Sequence, residues 1–198
     1  VHRNGEELGR LRIAIPGEHN LKNALATVAV GLQLDMDFGT IAGALGEFTG
    51  IYRRFDIKGE NRGIMVVDDY AHHPSEVKAT LDAARKSWNR RIICVFQPHT
   101  FTRTQAFYKE FGRSFDSADL LVVTDVYPAR EQPIEGVDGK LVADAALSYG
   151  HRNVRYIPEL ENLTGELLSI AEAGDMVITL GAGSIWRIAE QLNNELKQ

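Results

Sequence analysis

From about residue 55 onward, short apolar runs alternate with segments whose apolar residues recur every three or four positions. Runs at 55–60, 64–69, 92–97, 120–125, 154–157 and 176–180 read as strands. The stretches between them, 75–88, 104–115, 139–149, 159–171 and 184–196, carry helical spacing. It is clearest in the last, where Ile185, Ile188, Ala189 and Leu192 share one face. Strand–helix alternation of this kind predicts an α/β fold with a mostly parallel sheet of about six strands and helices on both faces. Asn61-Arg62-Gly63 joins the first two strands by a short turn, which predicts one antiparallel edge.

Residues 1–49 follow a different pattern. Leu21, Leu25, Val28 and Leu32 form a helical stripe within 17–34 that ends near Gly31, and a second helix is expected over 38–48 with Asp37 as its N-cap. Arg10 to Pro16 alternates like a strand. Thr49 to Phe55 is rich in glycine and basic residues and reads as an interdomain linker. The expected division is therefore 1–49 and 50–198. Val1 has no methionine before it, which reads as a chain entered in mid-domain.

Composition narrows the function classes only slightly. The chain has 198 residues, is 44% hydrophobic and 25% charged, and carries a net charge of −5. That gives no general basic character for nucleic acid. The pairs Arg53-Arg54 and Arg90-Arg91 are expected on the solvated surface. Cys94 is the single cysteine and sits inside an apolar run, so a buried thiol is expected and an intrachain disulfide is impossible. No apolar stretch is long enough to cross a membrane as a helix, and no zinc-type ligand spacing occurs, so neither a membrane partner nor a metal site is expected. The expected setting is the cytoplasm.

The chemistry concentrates where strands hand over to helices. Asp68-Asp69-Tyr70-Ala71-His72-His73 leaves the second strand and runs into Pro74 and Glu76, a helix start. In open α/β sheets ligands bind at strand carboxyl ends, so these acids, phenol and imidazoles mark the expected site. After the Cys94 strand comes Gln97-Pro98-His99-Thr100-Phe101-Thr102-Arg103, where His99 and Arg103 lie four apart across a helix start and can reach one anion. Thr102 as a helix cap is the plainer reading there. Thr124 to Glu131 leaves a third strand into a polar loop. Gly181-Ala182-Gly183-Ser184 is a weak glycine signal without dinucleotide spacing, in which Ser184 can cap the last helix. Near the start, Asn20 and Asn23 lie three apart on one helix face, so both amides could serve one ligand such as a purine edge; Asn20 alone would be a routine N-cap. No Gly-x-x-x-x-Gly-Lys-Ser/Thr phosphate loop occurs.

The order Gly17-Glu18-His19-Asn20-Leu21-Lys22-Asn23-Ala24, Arg53-Arg54-Phe55, Asp68-Asp69-Tyr70-Ala71-His72-His73-Pro74, Gln97 to Thr104, Val126-Tyr127-Pro128-Ala129-Arg130-Glu131 and Leu180 to Ser184 resembles the Mur ligases of peptidoglycan synthesis. The resemblance covers essentially the whole chain. It implies that 1–49 are the tail of a central ATP-binding domain and 50–198 a Rossmann-like carboxyl-terminal domain, with the phosphate loop in a part not included. The implied activity is ATP- and Mg²⁺-dependent amide formation through an acyl phosphate, with UDP-N-acetylmuramate and L-alanine as substrates. The fragment is expected to be inactive without the amino-terminal and central domains, which are its implied partners and which hold most of the metal ligands. Carried over by motif, His19, Asn20, Asn23, Arg54 and Asp69 would bind the nucleotide. Tyr70, His72, His73, His99, Arg103 and Ser184 would face the muramyl and alanine groups, with His72 and Arg103 as the catalytic pair. The alternatives are a related ligase that attaches a recycled tripeptide and a non-catalytic nucleotide-binding module.

Overall fold

A computed structural model describes residues 1–15 and 17–198, apart from the His19 side chain. The chain forms two compact units, Val1–Ile51 and Tyr52–Gln198. This border lies two residues after the expected one at 49/50.

In the first unit, strands β1 (His2–Arg3) and β2 (Glu6–Glu7) pair as a small antiparallel hairpin, followed by helices α1 (Glu18–Gln33) and α2 (Phe38–Glu47). Asp37 caps α2 as expected, its carboxylate accepting from the Thr40 amide at 3.0 Å. The alternation at 10–15 does not become a strand, because an extended segment without a ladder partner gains no backbone hydrogen bonds. Pro16 lies outside the described residues. Asn20 is not the N-cap of α1; Gly17 holds that position and Asn20 falls inside the helix. Ala24, Val28 and Ile41 are the buried apolar side chains, whereas Leu21 and Leu25 of the expected stripe are over 40% exposed.

The second unit is a six-stranded sheet in the order β3-β4-β8-β5-β6-β7. Its strands are β3 (Asp56–Asn61), β4 (Ile64–Asp69), β5 (Arg91–Phe96), β6 (Leu120–Val123), β7 (Val154–Tyr156) and β8 (Asp175–Leu180). All neighbours are parallel except β3 and β4, as the alternation and the short turn predict. Arg62 and Gly63 both have positive φ, 52° and 76°, the backbone that a two-residue hairpin of native twist requires.

Successive strand residues face opposite sides of the sheet, and each face has its own core. Val67, Cys94, Phe96, Val123 and Ile178 pack under helices α3 (Pro74–Ser87), α4 (Phe101–Gly112) and α5 (Gly139–Ser148). Val66, Ile93, Val95, Val122 and Val177 pack under α6 (Leu160–Ile170) and α7 (Trp186–Glu195). Runs apolar on both faces are what a sheet covered on both sides needs. Burial pushes the Cys94 thiol pKa well up, so it is an inert part of that core. Neither basic pair is simple solvated surface. Arg90 pairs with Glu60 at 2.7 Å and Arg91 with Asp175 at 2.6 Å, while Arg53 turns inward.

Candidate functional site

Strands β4, β5, β6 and β8 end on the same edge of the sheet, so their following turns converge there. The β4 turn is fixed by its helix. Pro74 stands at the first position of α3, and Glu76 reaches back to accept the His72 and His73 amides at 3.0 and 3.1 Å. Burial alone would raise the Glu76 carboxyl; the two amides and the two imidazoles outweigh it and hold it below the usual glutamate value. The adjacent histidines are thereby sent apart. His73 closes the cap through Ser75, and its ring packs edge-on against Phe107 of α4, 5.1 Å between centroids. His72 instead lies 5.8 Å from the His99 ring of the β5 turn. Tyr70 stands edge-on to His72 at 5.1 Å.

On the β5 side, His99 stacks on Tyr127 of the β6 turn at 5.6 Å, and a parallel bridge joins the two backbones. Thr100 has φ 66° and ψ 144°, a strained conformation for a β-branched residue. It is held by its amide on the Tyr127 carbonyl at 2.9 Å and by its own carbonyl under the Thr104 amide and hydroxyl. The resulting bend starts α4 at Phe101, three residues earlier than the apolar spacing indicated. Thr102 is not the cap; its amide and hydroxyl donate to Glu131 at 2.9 and 2.6 Å, which lowers the Glu131 carboxyl pKa.

Arg103 follows one helical turn after His99, with Nη1 3.3 Å from His99 Nδ1. A guanidinium can only donate, so His99 Nδ1 accepts and the ring proton sits on Nε2. Burial, then the charge of Arg103, then His72, lowers the His99 pKa and favours the neutral ring. His72 has the opposite tautomer. Its Nδ1 lies 2.8 Å from the Tyr70 carbonyl and must donate, which leaves the Nε2 lone pair as the acceptor of the neutral ring.

Asp69 is engaged by backbone: its two oxygens accept from Phe55 N at 2.7 Å and Ala71 N at 2.8 Å. Ser184 does not cap α7, whose N-cap is Ile185 without a side-chain bond. Its hydroxyl accepts from Gln97 Nε2 at 3.4 Å, and Gln97 Oε1 in turn accepts from Ile185 N at 3.1 Å. The glycines of this turn answer to packing. A methyl group at Gly183 would stand 2.5 Å from both Gln97 Oε1 and Tyr127 Cγ.

Of the arginine pair, Arg54 is exposed and, among the described residues, takes no hydrogen bond or ion pair. Arg53, which motif reading passed over, donates from Nε to the buried Asp68 at 2.9 Å and from Nη2 to the Gly181 carbonyl at 2.5 Å. Thr179 completes the pair by donating to Asp68 at 2.7 Å. The signal that could have found Arg53 is Asp68 itself, an acid within a strand apolar on both faces, which demands a cationic partner. Tyr127 was passed over likewise; its register opposite His99 follows from the β5–β6 pairing.

Asn20 and Asn23 share a face of α1 in the first unit, and the His19 side chain lies outside the described residues. Among the described residues no three His, Cys, Asp or Glu side chains come together to hold a metal ion. Among the described residues no helix is long and apolar enough to cross a membrane.

Residues 53–183 match the family described as Mur ligase, glutamate ligase domain. The UDP-N-acetylmuramate–L-alanine ligase of Salinibacter ruber is 54% identical over 94% of this chain and 39% of its own length. The ligase of the same name from Syntrophotalea carbinolica is 51% identical over 98% of this chain and 42% of its own. Among solved structures, the UDP-N-acetylmuramate–alanine ligase of Thermotoga maritima superposes with a TM-score of 0.83 at 31% identity, covering 98% of this chain and 41% of that one. The chain thus spans about two fifths of the length of the relatives it matches. The family match opens on Arg53 and closes on Gly183, so it takes in every turn of the carboxyl edge just described, and the chain belongs to the Mur ligase family.

Proposed function

We propose that this chain is the carboxyl-terminal portion of an ATP-dependent cytoplasmic ligase that joins L-alanine to UDP-N-acetylmuramate. The observation that carries the reading is the meeting of Tyr70, His72, His99 and Arg103 at one sheet edge, in a sequence about half identical to ligases of that name.

Amide formation needs an activated carboxyl and an amine that has lost a proton. ATP supplies the activation, as an acyl phosphate on the muramyl carboxylate. Capture then forms a C–N bond to the alanine nitrogen, breaks the C–O bond to phosphate, and releases a proton from nitrogen. His72 Nε2 is the acceptor suited to that proton, because Nδ1 is already committed to the Tyr70 carbonyl. Arg103 supplies the charge for a carboxylate or departing phosphate, and His99, kept neutral, adds an Nε2 donor without a competing charge. Tyr70 walls the same side, and Ser184, on the neighbouring turn, is the weaker candidate. His73 serves the site as the cap that aims its neighbour.

For the nucleotide, the unpaired Arg54 fits a phosphate or ribose contact, and the Asn20 and Asn23 amides fit an adenine edge. The Asp69 carboxylate, whose direction is fixed by the Phe55 and Ala71 amides, suits ribose hydroxyls as an acceptor. Among the described residues no three acids or histidines gather into a site that would fit Mg²⁺. The first unit buries few apolar side chains and presents a recess of about 680 Å³ lined by Val30, Leu34, Ile41 and Phe48. That suits the tail of a larger ATP-binding domain.

The test is ligation after the amino-terminal and phosphate-loop domains are supplied, with ATP, Mg²⁺, UDP-N-acetylmuramate and either L-alanine or the recycling tripeptide. Phosphate release should depend on L-alanine and fall on the order of 100-fold or more in His72→Ala and Arg103→Ala. Release only with the tripeptide would reassign the substrate, and none from a folded reconstitution would leave a nucleotide-binding module.

A further inference from the structure

We propose that Arg53 is a positioning residue for the Tyr70–His72 limb of the site, acting through the Tyr70 ring. Tyr70 is 44% exposed; its ring stands edge-on to His72 at 5.1 Å between centroids and has the Arg53 guanidinium over it, 5.0 Å from the centroid.

The guanidinium is itself locked. Its side chain is 11% exposed, and its donors reach Asp68 Oδ2 at 2.9 Å, the Gly181 carbonyl at 2.5 Å and the Gly183 carbonyl at 3.4 Å. Three acceptors around a planar fork set its plane as well as its place. The backbone adds a second tie, since Tyr70 N donates to the Arg53 carbonyl at 2.7 Å. Arg53 reaches this position with φ 61°, which turns its side chain inward while Arg54 stays exposed. One residue of the linker segment thus joins the β4 turn to the β8 turn and covers one face of the tyrosine against which His72 stands. Lysine would keep the charge opposite Asp68 but offers a single rotatable ammonium, so it cannot reach both glycine carbonyls and lie flat over a ring.

The proposal rests on the reading of the β4 turn as substrate-facing, yet its test needs no ligand, so a failed ligation assay and a failed positioning test are separate results. The readout is the nuclear Overhauser cross-peak between the Tyr70 and His72 ring protons in the 198-residue chain, with the amide spectrum as the check of fold. Arg53→Lys is expected to keep the amide dispersion and lose that cross-peak, and Arg53→Met to lose it as well. Asp68→Asn is expected to lower stability while keeping it, because the guanidinium retains its glycine carbonyls. Arg152→Ala, an exposed cation far along the chain, is expected to leave it intact. A cross-peak that survives at full intensity in folded Arg53→Lys would overturn the proposal, and so would its equal loss in Asp68→Asn. If Arg53→Met does not fold, Arg53→Lys decides.

Discussion

Replacing Gly183 with alanine tests whether the Gly181–Gly183 turn owes its glycines to packing or to a ligand. The added methyl would stand 2.5 Å from Gln97 Oε1 and from Tyr127 Cγ, and 2.7 Å from Tyr127 Cβ. Neither neighbour can give easily. Gln97 is 3% exposed and its Oε1 holds the Ile185 amide at the start of α7, while Tyr127 is tied to Pro98 and Thr100 through its backbone. Forcing a methyl into such a site costs about 1–3 kcal/mol. Displacing Gln97 leaves a buried amide without its acceptor, for about 1–3 kcal/mol more. The expected loss is therefore about 2–6 kcal/mol, or a fall in Tm of roughly 5–20 °C for a domain of this size. Trp88 and Trp186 both lie in the second unit, so tryptophan fluorescence in a urea titration follows that unit alone. In a Gln97→Ala background the same change should cost at least about 1 kcal/mol less, since one of its two clashes is gone. A loss below about 0.5 kcal/mol with an unchanged m-value would refute the packing argument.

Glu76→Gln should destabilise by about 0.5–2 kcal/mol at neutral pH. Because the folded carboxyl sits below its ordinary value of 4.5, the wild-type advantage is full above that pH and should vanish as acid protonates the folded form, which paired denaturation curves at pH 7 and pH 3 would show or deny. His99 should titrate below its ordinary 6.5, and Arg103→Gln should move that midpoint upward in an imidazole NMR titration; no movement would remove the guanidinium as a cause. With a lowered folded pKa the unfolded chain binds the proton first, so His99 costs stability only below about pH 6.5, and His99→Phe should flatten the stability profile there. Cys94 should resist a thiol reagent in the folded chain and react on unfolding; prompt labelling of native protein would contradict its burial.

Much of this is legible in the sequence. Pro74 and Glu76 announce the start of α3 because their chemistry suits that position and few others. The apolar runs of β4, β5 and β8 are continuous because both faces of each are covered. What could not be read was which neighbour each chemical group would find. Whether Arg53 or Arg54 turns inward depends on one backbone angle that two identical side chains conceal. Glu131 meets Thr102, 29 positions away, only because β5 and β6 are adjacent in the sheet. The strand-like alternation at 10–15 failed for the opposite reason: a period of two needs a partner strand, and that segment has none.

The place of β8 bears on how the molecule is made. It is last of the strands in sequence yet lies between β4 and β5, with Met65 beside Met176 in the register. A chain emerging residue by residue therefore has β4 and β5 ready long before the strand that must enter between them. Until residue 180 is available, those two edges stay unsatisfied, and contacts so distant in sequence close slowly. Synthesis halted before that strand would leave two parallel edges open to pairing with other chains. The carboxyl-terminal fifth of this sequence is the keystone of the sheet, and its arrival is the step at which the domain becomes a single body.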